Sequence, residues 1–146
     1  MAARPECQYC DYLRDGLPGG WIYEDDHWSA GGFPLNPVPG WVVVMLRRHV
    51  EAVTELTEAE LATMGPVAAR VSSAIAHVVS ATKMYLVVFG ELNAHFHLLL
   101  AARNSEMEQR SAALLMNSSR YADPTAASAT ADRVRKYLVE QAGSAR

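Results

Sequence analysis

Two histidines separated by a single residue stand in the run Ala94-His-Phe-His-Leu-Leu-Leu-Ala101. Read as a strand, the period of two sends His95, His97 and Leu99 to one face and Phe96, Leu98 and Leu100 to the other. The second set is an apolar stripe that belongs in a core. The first places two imidazoles roughly 6.5–7 Å apart at Cα, on a face that must be at least partly open. One strand histidine is commonly just a satisfied polar residue. Two on the same face, beside an unbroken apolar face, mark a candidate site.

Cys7-Gln-Tyr-Cys10 is the second chemical signal, and these are the only two cysteines in the chain. The spacing lets two thiolates chelate one tetrahedral zinc ion. A thioredoxin-like redox pair instead follows a strand and opens a helix, a context not expected here. Two unrelated thiols are the remaining reading. Zinc binding requires two more ligands from elsewhere. His49, at a strand end, and His95 are best placed; His27 in an acidic turn is weaker, and His77 is expected to be packing or surface.

The elements that must position these groups follow from local patterning. Gly16, Pro18, Gly19 and Gly20 make a turn before a short strand, Trp21 to Glu24, and a weaker one, His27 to Phe33. The rigid loop Asn36-Pro-Val-Pro-Gly40 leads into a strand from Trp41 to Leu46. Thr57 and Glu60 form a capping box that opens a helix to about Val79, in which Gly65-Pro66 should kink or break the pattern. Met84 to Phe89 and His95 to Ala101 read as the last two strands, separated by a turn from Gly90 to Ala94. Helices are expected over Asn104 to Met116 and Pro124 to Gln141. The fold class is therefore α+β: an antiparallel sheet of about five strands, a long helix packed on it and a helical C-terminal segment.

Bulk properties narrow the functions. At 146 residues the chain suits one domain, 1–146, with a core over 7–103 and a C-terminal extension over 104–146. Thirteen Lys and Arg against sixteen Asp and Glu give a net charge of −3, no footprint for a nucleic-acid backbone or an anionic membrane surface. Two cysteines do not build a disulfide scaffold. No apolar run is long enough to span a bilayer, and the first residues carry no secretory pattern. A cytoplasmic protein is the expectation.

In order and spacing these landmarks resemble the histidine triad (HIT) superfamily of nucleotide hydrolases and transferases, in its zinc-binding bacterial-type branch. The resemblance runs from Cys7 to Arg103, through Cys7-x-x-Cys10, Tyr23-Glu-Asp-Asp26, Asn36-Pro-Val-Pro-Gly40, Arg47-Arg-His49, Leu56-Thr-Glu-Ala-Glu60 and His95-Phe-His-Leu-Leu-Leu-Ala-Ala-Arg103. It implies that His97, the middle histidine, attacks an α-phosphate to form a nucleotidyl-histidine. It also implies that Cys7, Cys10, His49 and His95 hold a structural zinc, and that the chain forms a homodimer through the helix and the sheet edge. Implied substrates are purine nucleotides or their conjugates, of the adenosine phosphoramidate or dinucleoside polyphosphate type.

The chain departs from that pattern at several positions. Leu99 replaces the third histidine and can neither hydrogen-bond a phosphate oxygen nor donate a proton, a contact of a kind worth about 10²–10³ in rate. Pro34 or its neighbours stand where an acidic residue usually grips the ribose, and Trp41 where a histidine is common. The loop from Asn36 to Gly40 is one residue short. Asn93 is the nearest polar side chain able to contact phosphate; its other reading is a turn-forming Asn. Two functions follow: a HIT-type enzyme acting through His97, or a catalytically weakened or inactive zinc-stabilised nucleotide-binding dimer.

Overall fold

The computed structural model describes residues 6–144; the few terminal residues of the expected 1–146 domain lie outside the described residues. The strands are β1 (Trp21–Glu24), β2 (Trp28–Gly32), β3 (Val42–Leu46), β4 (Lys83–Val87) and β5 (His97–Arg103). They form one antiparallel sheet in the order β1-β2-β3-β5-β4. The helices are α1 (Gln8–Asp15), α2 (Glu58–Val79), α3 (Ser111–Met116) and α4 (Pro124–Ser144). This is the α+β, HIT-like architecture expected from the sequence.

β3 is central because every residue in it is apolar and can be buried on both faces. Val42, Val44 and Leu46 face a core shared with Leu98 and Leu100 of β5 and with Val71 and Ile75 of α2. Val134 of α4 closes the same core. Burying each such aliphatic side chain is worth roughly 1.5–3 kcal/mol. Val43 and Met45 point to the opposite face, where they meet Tyr9 and Leu17. The sheet is thus covered by α2 and α4 on one side and by α1 and its following loop on the other. Gly31 in β2 lets that second layer come close, since a Cβ there would stand 2.1 Å from the Leu17 side chain, which would have to shift.

The capping box holds: the Thr57 hydroxyl accepts from the Glu60 N–H at 3.2 Å, and Glu60 Oε2 accepts from the Thr57 N–H at 2.8 Å. Several expectations need correction. α2 runs without a break through Pro66; Ala62, whose carbonyl loses its intrahelical donor there, is exposed to solvent along with Pro66. The expected helix over Asn104 to Met116 shrinks to α3, because Asn104 turns the chain by accepting from the Glu106 N–H. Ser111 then adopts a left-handed φ of 53°. The last helix runs on through Gly143, which has open space around it.

Candidate functional site

α1 was not expected, and it decides how the cysteines are presented. Cys7 is its N-cap, with Sγ accepting from the Cys10 N–H at 3.3 Å, so the CxxC motif does open a helix. The first turn places Cys7 and Cys10 on one side, over the ends of β3 and β5. Arg48 and Glu60 fix the segment after β3: Nε and Nη2 of Arg48 donate to the Glu60 carboxylate at 2.9 and 3.0 Å. That pair holds Glu60 down to about 2, chiefly through the Arg48 hydrogen bonds, and leaves His49 turned toward the cysteines.

His95 lies just before β5 rather than within it, again a correction to the expected strand. Its Nε2–H donates to the Leu46 carbonyl at 2.5 Å, which leaves Nδ1 as the free acceptor. That atom stands 3.4 Å from Cys7 Sγ, 3.5 Å from Cys10 Sγ and 3.1 Å from His49 Nδ1. His49 Nδ1 is 3.3 Å from Cys10 Sγ. All four donor atoms lie within 4.8 Å of one another, three of the residues being buried.

This set could hold a metal ion, and its dimensions can be tested. Zinc bonds of about 2.3 Å to sulfur and about 2.0–2.1 Å to nitrogen imply tetrahedral edges of about 3.5 Å between S and N and about 3.3 Å between the nitrogens. The distances found are within a few tenths of an ångström of those edges. His27 and His77 are not brought to the cluster. His77 is exposed and stacks on Tyr137 at 4.3 Å.

His97 belongs to a different environment two residues on. Its Nδ1–H donates to the backbone carbonyl of His95 at 2.6 Å, leaving Nε2 as the lone-pair nitrogen. Burial pushes its imidazole below the ordinary histidine range, so the neutral ring prevails at pH 7. Tyr9, between the two cysteines, meets the His97 ring edge-on with centroids 4.6 Å apart. Met45 and Leu99 complete the surroundings through the β3–β5 register, in which Met45 faces His97 and Val43 faces Leu99.

His97 opens into a cavity of about 260 Å³ whose walls are largely apolar, among them Phe33, Leu35, Phe89 and Leu99. Among the described residues Tyr9, Asn93 and Glu91 bring its other polar side chains. A neighbouring cavity of about 510 Å³, on the outer side of the donor cluster, shares Asn93 and adds Glu6 and Glu51. The structure therefore brings Asn93 and His97 to one cavity, while Cys7, His49 and His95 of the donor set line the other. An unprotonated imidazole nitrogen facing a cavity can act as a nucleophile.

No protein-family model matches the sequence, nor does any curated protein. Solved structures do match. A zinc-bound histidine triad family protein from Mycobacterium smegmatis superposes with a TM-score of 0.75 at 18% identity, over 95% of this chain and 97% of the other. The fold is that of the histidine triad proteins. A HIT-like protein involved in cell-cycle regulation from Bartonella henselae gives a TM-score of 0.73 at 16% identity, covering 93% and 99% of the two chains. A hypothetical histidine triad nucleotide-binding protein from Sulfolobus tokodaii gives 0.71 at 19% identity, covering 92% and 93%.

On this histidine triad fold, sequence reasoning missed Tyr9 and Glu51. Glu51 Oε1 lies 3.7 Å from Nε2 of His49, the ring nitrogen turned away from the cluster. Tyr9 could have been found as the aromatic residue held between two chelating cysteines. Glu51 gave no signal beyond standing two residues after His49. Among the described residues no helix is long and apolar enough to cross a membrane.

Proposed function

We propose that the chain is a zinc-stabilised, nucleotide-binding HIT-type hydrolase or nucleotidyltransferase acting at an α-phosphate through His97. The observation that carries this reading is the hydrogen bond from His97 Nδ1–H to the His95 carbonyl, which fixes the tautomer and aims Nε2 into the cavity. Nε2 attacks the α-phosphorus, forming an N–P bond while the leaving group departs with its electron pair. Water then attacks phosphorus, the N–P bond breaks back to Nε2, and a nucleoside monophosphate is released. Asn93, which lines the same cavity, would hold a phosphate oxygen. Adenosine phosphoramidate and dinucleoside polyphosphates are the substrate types, and a purine nucleotide the ligand.

Cys7, Cys10, His49 and His95 would hold the zinc, whose chemistry there is structural: with four protein ligands no position is left for water. It ties α1 to the ends of β3 and β5. Because His95 is a ligand through Nδ1 while its carbonyl receives His97, the metal steadies the nucleophile through the backbone. The chain would act in the cytoplasm as one domain and pair as a homodimer. The β4 edge, where Leu86 and Val88 are exposed, supports such pairing.

The test is turnover of adenosine 5′-phosphoramidate by the zinc-loaded protein. Activity that His97→Ala abolishes supports the enzyme; no activity, with the variant indistinguishable, removes it. Leu99 favours a second reading, a dimer that binds nucleotide with its chemistry weakened or lost. That version binds AMP in calorimetry and forms no covalent histidine adduct.

A further inference from the structure

Cys7 and Cys10 are not equivalent, a difference that matters if the donor cluster holds zinc, the reading on which this inference rests. Cys7 is half-buried and lines the cavity of about 510 Å³ on the outer side of the cluster. Leu92, on a wall of that cavity, is 95% exposed, so the space opens to solvent. Cys10 is buried, with Sγ 3.3 Å from His49 Nδ1 and 3.5 Å from His95 Nδ1. The two sulfurs lie within 4.8 Å of each other at the first turn of α1. A CxxC pair that opens a helix is the arrangement in which thioredoxin-like proteins form a disulfide. As zinc ligands both sulfurs would be thiolates, the form that oxidants react with. Glu6 and Glu51 line the same cavity and repel anions, which leaves a small neutral oxidant unopposed.

We propose that Cys7 is a site of reversible oxidation, at which hydrogen peroxide joins Cys7 to Cys10 and expels the zinc. The Cys7 thiolate attacks one peroxide oxygen; an S–O bond forms, the O–O bond breaks and hydroxide departs. The Cys10 thiolate then attacks the Cys7 sulfur, so that the S–S bond forms, the S–O bond breaks and a second hydroxide leaves. The sulfurs together lose two electrons, peroxide gains them, and solvent protonates both hydroxides to water. The metal is left with two neutral imidazoles, His49 and His95, too few to hold it.

The loss reaches the nucleophile by two routes. His97 Nδ1–H bonds the His95 carbonyl at 2.6 Å, and Tyr9, between the two cysteines, meets the His97 ring with centroids 4.6 Å apart. Oxidation at the start of α1 therefore loosens His97 without modifying it.

The test treats the zinc-loaded full chain with limiting hydrogen peroxide while a chromophoric chelator reports free zinc. Zinc release should run in step with an intact-mass loss of two hydrogens per chain and with a peptide linking Cys7 to Cys10. The oxidised chain should hold zinc at least about 10³-fold more weakly, and reductant with added zinc should restore the starting state. Dimedone present during the reaction should label the sulfenic acid at Cys7 and not at Cys10. Zinc that stays bound, release without the Cys7–Cys10 bond, or first labelling at Cys10 overturns the proposal and leaves the zinc reading standing. If the purified chain carries no zinc in metal analysis, the zinc reading fails and the proposal with it.

Discussion

His95 and His97 are separated by one residue and live in opposite chemical settings. His95 is buried among three other donors, with one ring nitrogen bonded to the Leu46 carbonyl and the other facing two sulfurs and His49. His97 faces a cavity of largely apolar walls to which Tyr9, Asn93 and Glu91 bring the other polar side chains among the described residues. The first setting is a closed coordination set. The second presents one ring nitrogen to a cavity with few polar side chains. A strand can carry both because its residues enter the site from one backbone, yet the partners arrive from different elements: α1 and the end of β3 for His95, the β2–β3 loop and the segment from Val87 to Asn93 for His97. The two halves of the site can therefore diverge independently.

That contrast can be broken most severely at His97. His97→Ala should lower turnover of adenosine phosphoramidate by at least about 10³-fold, with zinc content unchanged, as metal analysis of the same sample will show. The converse experiment, Leu99→His, adds a polar group to the apolar half. It should raise kcat by about 10²–10³-fold, and no gain would mean that the rest of the cavity is also unfit for the chemistry. On the donor side, Glu51→Gln removes a carboxylate 3.7 Å from His49 Nε2. Chelator competition should then show zinc held about tenfold more weakly, with the fold intact.

The chemistry also predicts a pH dependence. Burial lowers the His97 pKa, so its nucleophilic form survives to lower pH than an exposed histidine allows. The acidic limb of kcat/KM should fall below the ordinary histidine value of about 6.5. Glu60 gives the smallest and most local effect. Its pKa falls from 4.5 to about 2 through Arg48, so the pair stabilises the native state fully above the unfolded value and less as pH drops through that window. Arg48→Met should lower stability at pH 7, read by urea denaturation, with the difference from the parent shrinking toward pH 2.

Much of this arrangement was legible in the sequence. The all-apolar run of β3, the Thr57–Glu60 box and the alternation through His97 to Leu100 are local signals whose physics does not depend on the rest of the chain. The four donors were legible for a related reason, since a chelating pair of cysteines leaves a metal needing two further ligands. α1 was hidden because it is short and capped by a thiol, so neither an apolar period nor an ordinary N-cap residue announces it. Pro66 misled because propensity argues for a break, whereas burial of Val67, Ala68 and Val71 on either side of solvent-facing positions holds the helix together. The composition of the His97 cavity was not readable at all. Phe33, Leu35, Glu91 and Leu99 meet there only through the sheet order and the loops at its end.

A competent nucleophile at His97 would form a covalent nucleotidyl-histidine. Intact-mass analysis of zinc-loaded protein, acid-quenched or base-quenched during reaction with adenosine 5′-phosphoramidate, tests it directly. The expected result is an adenylyl adduct that survives base, is lost in acid, maps to His97 and is absent from His97→Asn. Turnover without any such adduct, or an adduct at another residue, would contradict it.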